Sequence, residues 1–367
     1  MLDTVGAGVA FGAALVASGM YSPYLIASQF TLQRWNMVQT FLAATGCSAW
    51  VLPLLLPSSF VLLYEHQQQI RRLTDIPPSL AVHVLHNLGF QVPPPRSYSS
   101  VGLLGFPLDG NLVGGAVLGA GMSLAASCPG MVFPQVAMGV PSARITLAGA
   151  CVGGVFWSAV LRPWVAARLR RQAARGKGAA GTSGPRTLAQ LFGTGRAATL
   201  VFYEVTLGAI VVTVAGRAAS APSALQPIAG GLVIGGAQLV SLLLRGSLVG
   251  VSTCYEHIGD WVLHFLEGGR GPRPATGTVV FAASMMAGAL MLARQRPDLT
   301  VAPGALTVYI APWDAFWGGF LLAVGSRLGG GCASGHGISG MGLMSVSSFV
   351  SMFATFVAAI AVSKLLT

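Results

Sequence analysis

About nine apolar runs, most of them near the ~20 residues that cross a bilayer, divide this chain, and any fold open to it must submerge them. They lie near 4–19, 36–56, 111–127, 142–161, 197–215, 224–244, 277–293, 310–328 and 343–363. Only 8% of the residues are charged while 53% are hydrophobic, a balance that excludes an ordinary soluble domain. The expected fold class is therefore all-α: a polytopic membrane protein of about nine transmembrane spans. Asp3 precedes the first run and no basic cluster does, so that run reads as a span and not as a cleaved signal peptide.

The polar residues then set topology. Residues 162–196 carry Arg162, Arg168, Arg170, Arg171, Arg175, Lys177, Arg186 and Arg196 with no acid, and include a Gly/Ala/Ser stretch at 176–184. They read as a basic, flexible, cytosolic linker, because positive residues concentrate in cytoplasmic loops. The proline-containing segment 65–108, with Arg71, Arg72 and Arg96, reads as a second cytosolic loop, which puts the N-terminus in the cytosol and the C-terminus on the other side. The net charge of +11 is explained by this bias, so no nucleic-acid partner is expected.

Several runs end in Gly/Pro/Ser breaks instead of charged loops. Ser18 to Pro23 follows the first run, Ser127-Cys-Pro-Gly130 the third, and Arg245 to Cys254 the sixth. The longest break is Arg327-Leu-Gly-Gly-Gly-Cys332-Ala-Ser-Gly-His336-Gly-Ile-Ser-Gly-Met-Gly342, which joins one thiol, one imidazole and one guanidinium in glycine-rich chain. Unwound backbone survives at membrane depth only where protein or a water-filled cavity satisfies its polar groups. In transporters such breaks hold substrate, with helix N-termini turned towards an anion.

An internal repeat relates two of these breaks. Gly114-Gly115-x-x-Leu118-x-x-Gly121-x-x-Leu124-x-x-x-Cys128 matches Gly318-Gly319-x-x-Leu322-x-x-Gly325-x-x-Leu328-x-x-x-Cys332 at six positions without a gap. A shorter match pairs Gly8 to Ala14 with Gly231 to Ala237. Residues 1–161 are thus expected to form a first repeat of four spans, including the 65–108 loop. The linker 162–196 follows, then a connecting fifth span in 197–223, then a second four-span repeat in 224–367. One crossing between the halves would give them opposite topology.

The Cys-Pro-Gly break and the long Gly-Cys-x-Ser-Gly-His-Gly break together resemble the YeeE/YedE sulfur-transport family of thiosulfate permeases. The resemblance implies a helical membrane protein of pseudo-twofold symmetry, narrowed at its middle, with cysteine thiols along a central path that pass thiosulfate inward. Carried onto this chain, the matching thiols are Cys128 and Cys332. A third pathway cysteine in the family lies in another break; here the first break offers Met20 and the third Cys254.

The chemistry stands beside that resemblance. Thiosulfate is a dianion with a soft terminal sulfur, so a site for it needs positive potential and a weak neutral donor. Backbone N–H groups at Gly130 and Gly331 can supply the first, and buried thiols the second. Arg327 is expected either to attract the anion or to brace the break, and His336 either to bond the loop or to contact substrate. Cys47 and Cys151 read as packing residues.

The expected function is import of a sulfur anion, with the lipid bilayer and a cytosolic sulfur-accepting protein as partners and no cofactor. A soft-metal permease using Cys128, Cys332 and His336 is an alternative, weakened by the lack of a Met-rich or His-rich access tract. A thiol-dependent sulfurtransferase, or an intramembrane hydrolase built on Ser334 or Ser339 with His336, lacks a rigidly held base.

Overall fold

The computed structural model describes residues 1–50, 94–175, 184–215, 225–269 and 271–366. Its helices are α1 (Leu2–Ala17), α2 (Pro23–Phe30), α3 (Asn36–Trp50), α4 (Asp109–Ala125), α5 (Val132–Ala137), α6 (Ala143–Phe156), α7 (Arg162–Ala174), α8 (Leu188–Phe192), α9 (Arg196–Ala215), α10 (Pro227–Arg245), α11 (Thr253–Leu266), α12 (Gly277–Gln295), α13 (Pro312–Leu328) and α14 (Val346–Leu366). Wide π-turns occupy Trp157–Leu161 and Ala333–Gly340. Every expected span meets a helix, and among the described residues five helical stretches are long and apolar enough to cross a membrane. The chain is a polytopic helical membrane protein.

Small residues decide how closely these helices approach. A Cβ added at Gly319 of α13 would meet the Thr146 carbonyl of α6, and one at Gly115 of α4 the Ser351 carbonyl of α14. Gly12 of α1 lies against Met285 of α12, while Gly231 and Gly235 of α10 lie against Ala43 and Cys47 of α3. Lipid chains are as apolar as leucine, so close backbone contact and not water exclusion holds such helices together. Cys47 serves this packing, as expected, with its thiol 3.8 Å from the Leu232 carbonyl.

The packing pattern recurs between the halves. Helices α4 and α13 pack on each other; α4 also packs on α14, and α13 on α6. Likewise α1 and α10 pack on each other, with α1 against α12 and α10 against α3. The glycines that match in sequence therefore occupy equivalent interfaces.

Each of the four breaks leads into a short segment that turns back: α2, α5, α11 and the Ala333–Gly340 turn. Ala126, at φ 42°, closes α4 before one break, and Gly330, at φ 79°, turns the chain after α13. Left-handed backbone of this kind commonly ends a helix.

The basic segment 162–196 is more structured than a flexible linker. Helix α7 continues α6 through the π-turn, so that Ala143–Ala174 runs as one 32-residue helical stretch. An N-terminal capping box on Thr187 starts α8, and Thr187 bridges Ser345. The arginines continue the helical pattern because, unlike Gly or Pro, they favour helix. Most of the Gly/Ala/Ser stretch, 176–183, lies outside the described residues, as do 51–93 of the expected second span and first loop.

The part of that loop that is described is tied down. Asp109 at the head of α4 is fully buried and accepts the N–H groups of Val101 (2.8 Å), Leu103 (2.6 Å) and Leu104 (3.1 Å). Ser99 donates to the Leu328 carbonyl at 2.7 Å, drawing residues 94–104 across the end of α13.

Candidate functional site

Breaking four helices exposes carbonyls that water cannot reach, and the side chains that satisfy them come from other segments. Gln135 donates to the carbonyls of Tyr21 (3.0 Å) and Ala126 (3.2 Å), binding the first break to the second. The Tyr255 hydroxyl donates to Pro129 at 2.7 Å, and its ring stacks on Phe133. Ser339 donates to Val249 at 2.8 Å, closing the third break with a residue of the fourth. At the fourth, Asn111 and His336 both reach the Gly329 carbonyl, at 3.0 and 2.9 Å.

These bonds bring the breaks together around two buried cysteines that each precede a turn of helix. Cys128 stands before α5, with the N–H groups of Gly130 and Met131 beside it, the latter donating to the Cys128 carbonyl at 2.9 Å. Cys332 is the N-cap of the Ala333–Gly340 turn; its sulfur lies 3.2 Å from the Ser334 hydroxyl and faces the N–H groups of Gly335, Val251 and Ser252. Cys332 thus takes the N-cap position that Ser or Asp takes at an ordinary helix start, whereas Cys128 stands three residues before Met131, the N-cap of α5.

A cavity of about 40 Å³ lies between the breaks. That exceeds the volume one water requires. Its wall holds Cys128, Gly130 and Ser334, together with five methionines: Met20, Met37, Met122, Met131 and Met352. Their side chains come from five separate parts of the chain, so no Met-rich tract announces them. Cys332 lies behind Ser334, outside the wall, and Cys254 is fully buried at the start of α11 and does not line the cavity either.

The other expected residues have defined partners. His336 is held at both ring nitrogens, by Ser348 at Nδ1 (3.0 Å) and by the Gly329 carbonyl at Nε2. A carbonyl only accepts, so Nε2 carries the proton and Nδ1 accepts from the Ser348 hydroxyl. The ring braces the break. Arg327 donates to Thr253 (3.2 Å) and pairs with Glu256, which also pairs with Arg162 at 3.0 Å, while Arg162 reaches Asp260 at 2.8 Å. Two cations and two acids balance there. Gly331 sits where a side chain would meet His336 and Arg96.

Arg96, which the sequence places only in a loop, stands against the fourth break. Its Nη1 donates to the Gly330 carbonyl at 3.1 Å, and its own carbonyl accepts from Ser345 and Ser347, both at 3.1 Å. The loop's length hid this placement, since nothing within the loop indicates which break it crosses.

Comparison with known proteins decides the class. The model of the sulphur-transport family matches residues 78–361. The chain belongs to that family. Two curated relatives, each named a probable transporter, come from Xylella fastidiosa strains Temecula1 and 9a5c. Each is 32% identical over 127 residues, covering 81% of the relative and 34% of this chain. This member of the sulphur-transport family is a transporter of sulfur anions in a lipid bilayer, not an enzyme. Among its described residues, no three His, Cys, Asp or Glu side chains gather as a metal site.

Proposed function

We propose that this transporter imports thiosulfate, which passes from Cys128 to Cys332 through the gap between the second and fourth breaks. The observation that carries this reading is the cavity wall, where one thiol and five thioethers surround a space bordered by the residue bonded to the second thiol. Sulfur is polarisable and a weak hydrogen-bond partner, so such a wall suits a soft sulfur atom better than an oxygen. The N–H groups around each cysteine suit the negative charge.

Two inverted repeats, 1–161 and 224–367, joined through 162–196 and a fifth span in 197–223, account for the matched packing of α1, α3, α4 and α6 with α10, α12, α13 and α14. The Xylella relatives are less than half as long as this chain, in keeping with a fold assembled from two halves. In this reading the N-terminus is cytosolic, and a cytosolic protein accepts the delivered sulfur. A tag within 176–184 should be cytosolic and one at the C-terminus should lie on the other side; both on one side would overturn the arrangement.

The test is competitive uptake in proteoliposomes. Sulfate matches thiosulfate in charge but presents only oxygen, so two thiol contacts of about 1 kcal/mol each should favour thiosulfate by roughly tenfold to a hundredfold. The methionine wall favours one second reading, carriage of a soft monovalent metal cation. Transport of such a cation without thiosulfate would establish that reading instead, and release of sulfite without transport would indicate a sulfurtransferase.

A further inference from the structure

Beside the fourth break, residues 94–99 and Arg186 line an open vestibule of about 390 Å³ with Gly330 in its wall. Arg96 lines it and is half-buried. A guanidinium has five N–H donors, and among the described residues only the Gly330 carbonyl is bonded to Arg96's. No described carboxylate pairs with it; the ion pairs involve Arg162, Arg296 and Arg327. Arg327, the cation adjoining the break in sequence, is neutralised by Glu256, whereas Arg96 keeps its charge.

Nothing bulky separates Arg96 from the Cys332 loop. A Cβ at Gly331 would stand 3.0 Å from Nη1, and one at Gly335 would stand 2.9 Å from Nη2, so any side chain there would crowd the guanidinium. These two glycines flank Cys332 on either side. The loop holds the arginine over them through the Ser345 and Ser347 bonds to its carbonyl and the Asp109 bonds further along.

We propose that Arg96 is a substrate-binding residue, the counter-charge for the dianion as it moves from the Cys332 break into a basic vestibule rimmed by Arg186. This rests on the anion-transport reading above and extends it to a second station. Thiols provide softness but no charge, and N–H groups provide only partial charge. A fixed cation beyond the last thiol draws the anion out of the narrow region, and its opening towards water limits how tightly the anion is held.

The experiment uses the full-length protein, with thiosulfate and sulfate binding followed by thermal shift in detergent and thiosulfate uptake measured in liposomes. R96Q removes the charge and keeps a polar side chain, whereas R96K keeps the charge and changes the hydrogen bonding. The expected result is at least about tenfold weaker binding of both dianions and a raised KM in R96Q, with R96K within about threefold of wild type. R186Q should have a smaller effect that shrinks as salt is raised.

Wild-type affinity in R96Q would overturn the proposal, and so would R96K failing as badly as R96Q, since that pattern marks a bracing role only. Should R96Q not fold, R96K decides alone on the same threshold. If thiosulfate binds no better than sulfate yet R96Q weakens both, thiosulfate selectivity falls and the Arg96 station stands. If wild type binds neither dianion, both fall.

Discussion

The second and fourth breaks carry the same cysteine at the same distance from the same glycine pair, yet they surround it differently. Cys128 opens onto a wall of methionines, with backbone N–H groups beside it. Cys332 is enclosed by a hydroxyl and N–H groups from two breaks, with Arg96 beyond it. The repeat therefore sets where a thiol stands, while elements outside the matched motif set its surroundings. Residues 94–104, which cross the end of α13, are the clearest of these: their bonds draw them to the fourth break and supply its cation.

The strongest test of this comparison removes each thiol. Cys128→Ala and Cys332→Ala should each abolish thiosulfate uptake, at unchanged elution in detergent, because the passage from one thiol to the next is then interrupted. Near wild-type uptake in one of them would confine the sulfur contact to the other break.

A second pair of changes addresses the braces. His336→Ala breaks two buried hydrogen bonds at the fourth break, and Gln135→Ala breaks two that tie the first break to the second. Each should destabilise the protein by about 2 to 4 kcal/mol, read as a lower melting temperature. Retained stability with lost uptake in His336→Ala would instead assign the imidazole to the substrate.

The smallest effects sharpen the contrast most. Met122→Gln places an amide in the sulfur-lined wall and should lower the preference for thiosulfate over sulfate by about threefold to tenfold. Ser334→Ala removes a partner of Cys332 and should weaken both dianions alike, by about threefold. If both variants changed selectivity equally, the two breaks would be chemically alike despite their walls.

Much of this protein was legible in order along the chain. Among the described residues each expected span falls on a helix, because apolar length and helix-compatible composition are local properties and the bilayer leaves few other ways to satisfy backbone groups. The breaks and the paired cysteines were legible for the same reason, since glycine and proline punctuate a helix wherever they occur. Arg162–Ala174 was harder to read: its charge suggested a linker, but arginine does not interrupt a helix.

Tertiary structure alone decided which polar groups meet. Arg327 adjoins the fourth break in sequence, yet Glu256 of α11 neutralises it; Arg96 lies more than two hundred positions away, yet bonds Gly330. Five methionines scattered from Met20 to Met352 line one cavity, and Cys254 stays outside it. Hydropathy and glycine spacing specify that helices form and how near they can pack. The partner of a charge or a thioether depends on distances between segments remote in sequence, and those are set only when all the helices pack at once.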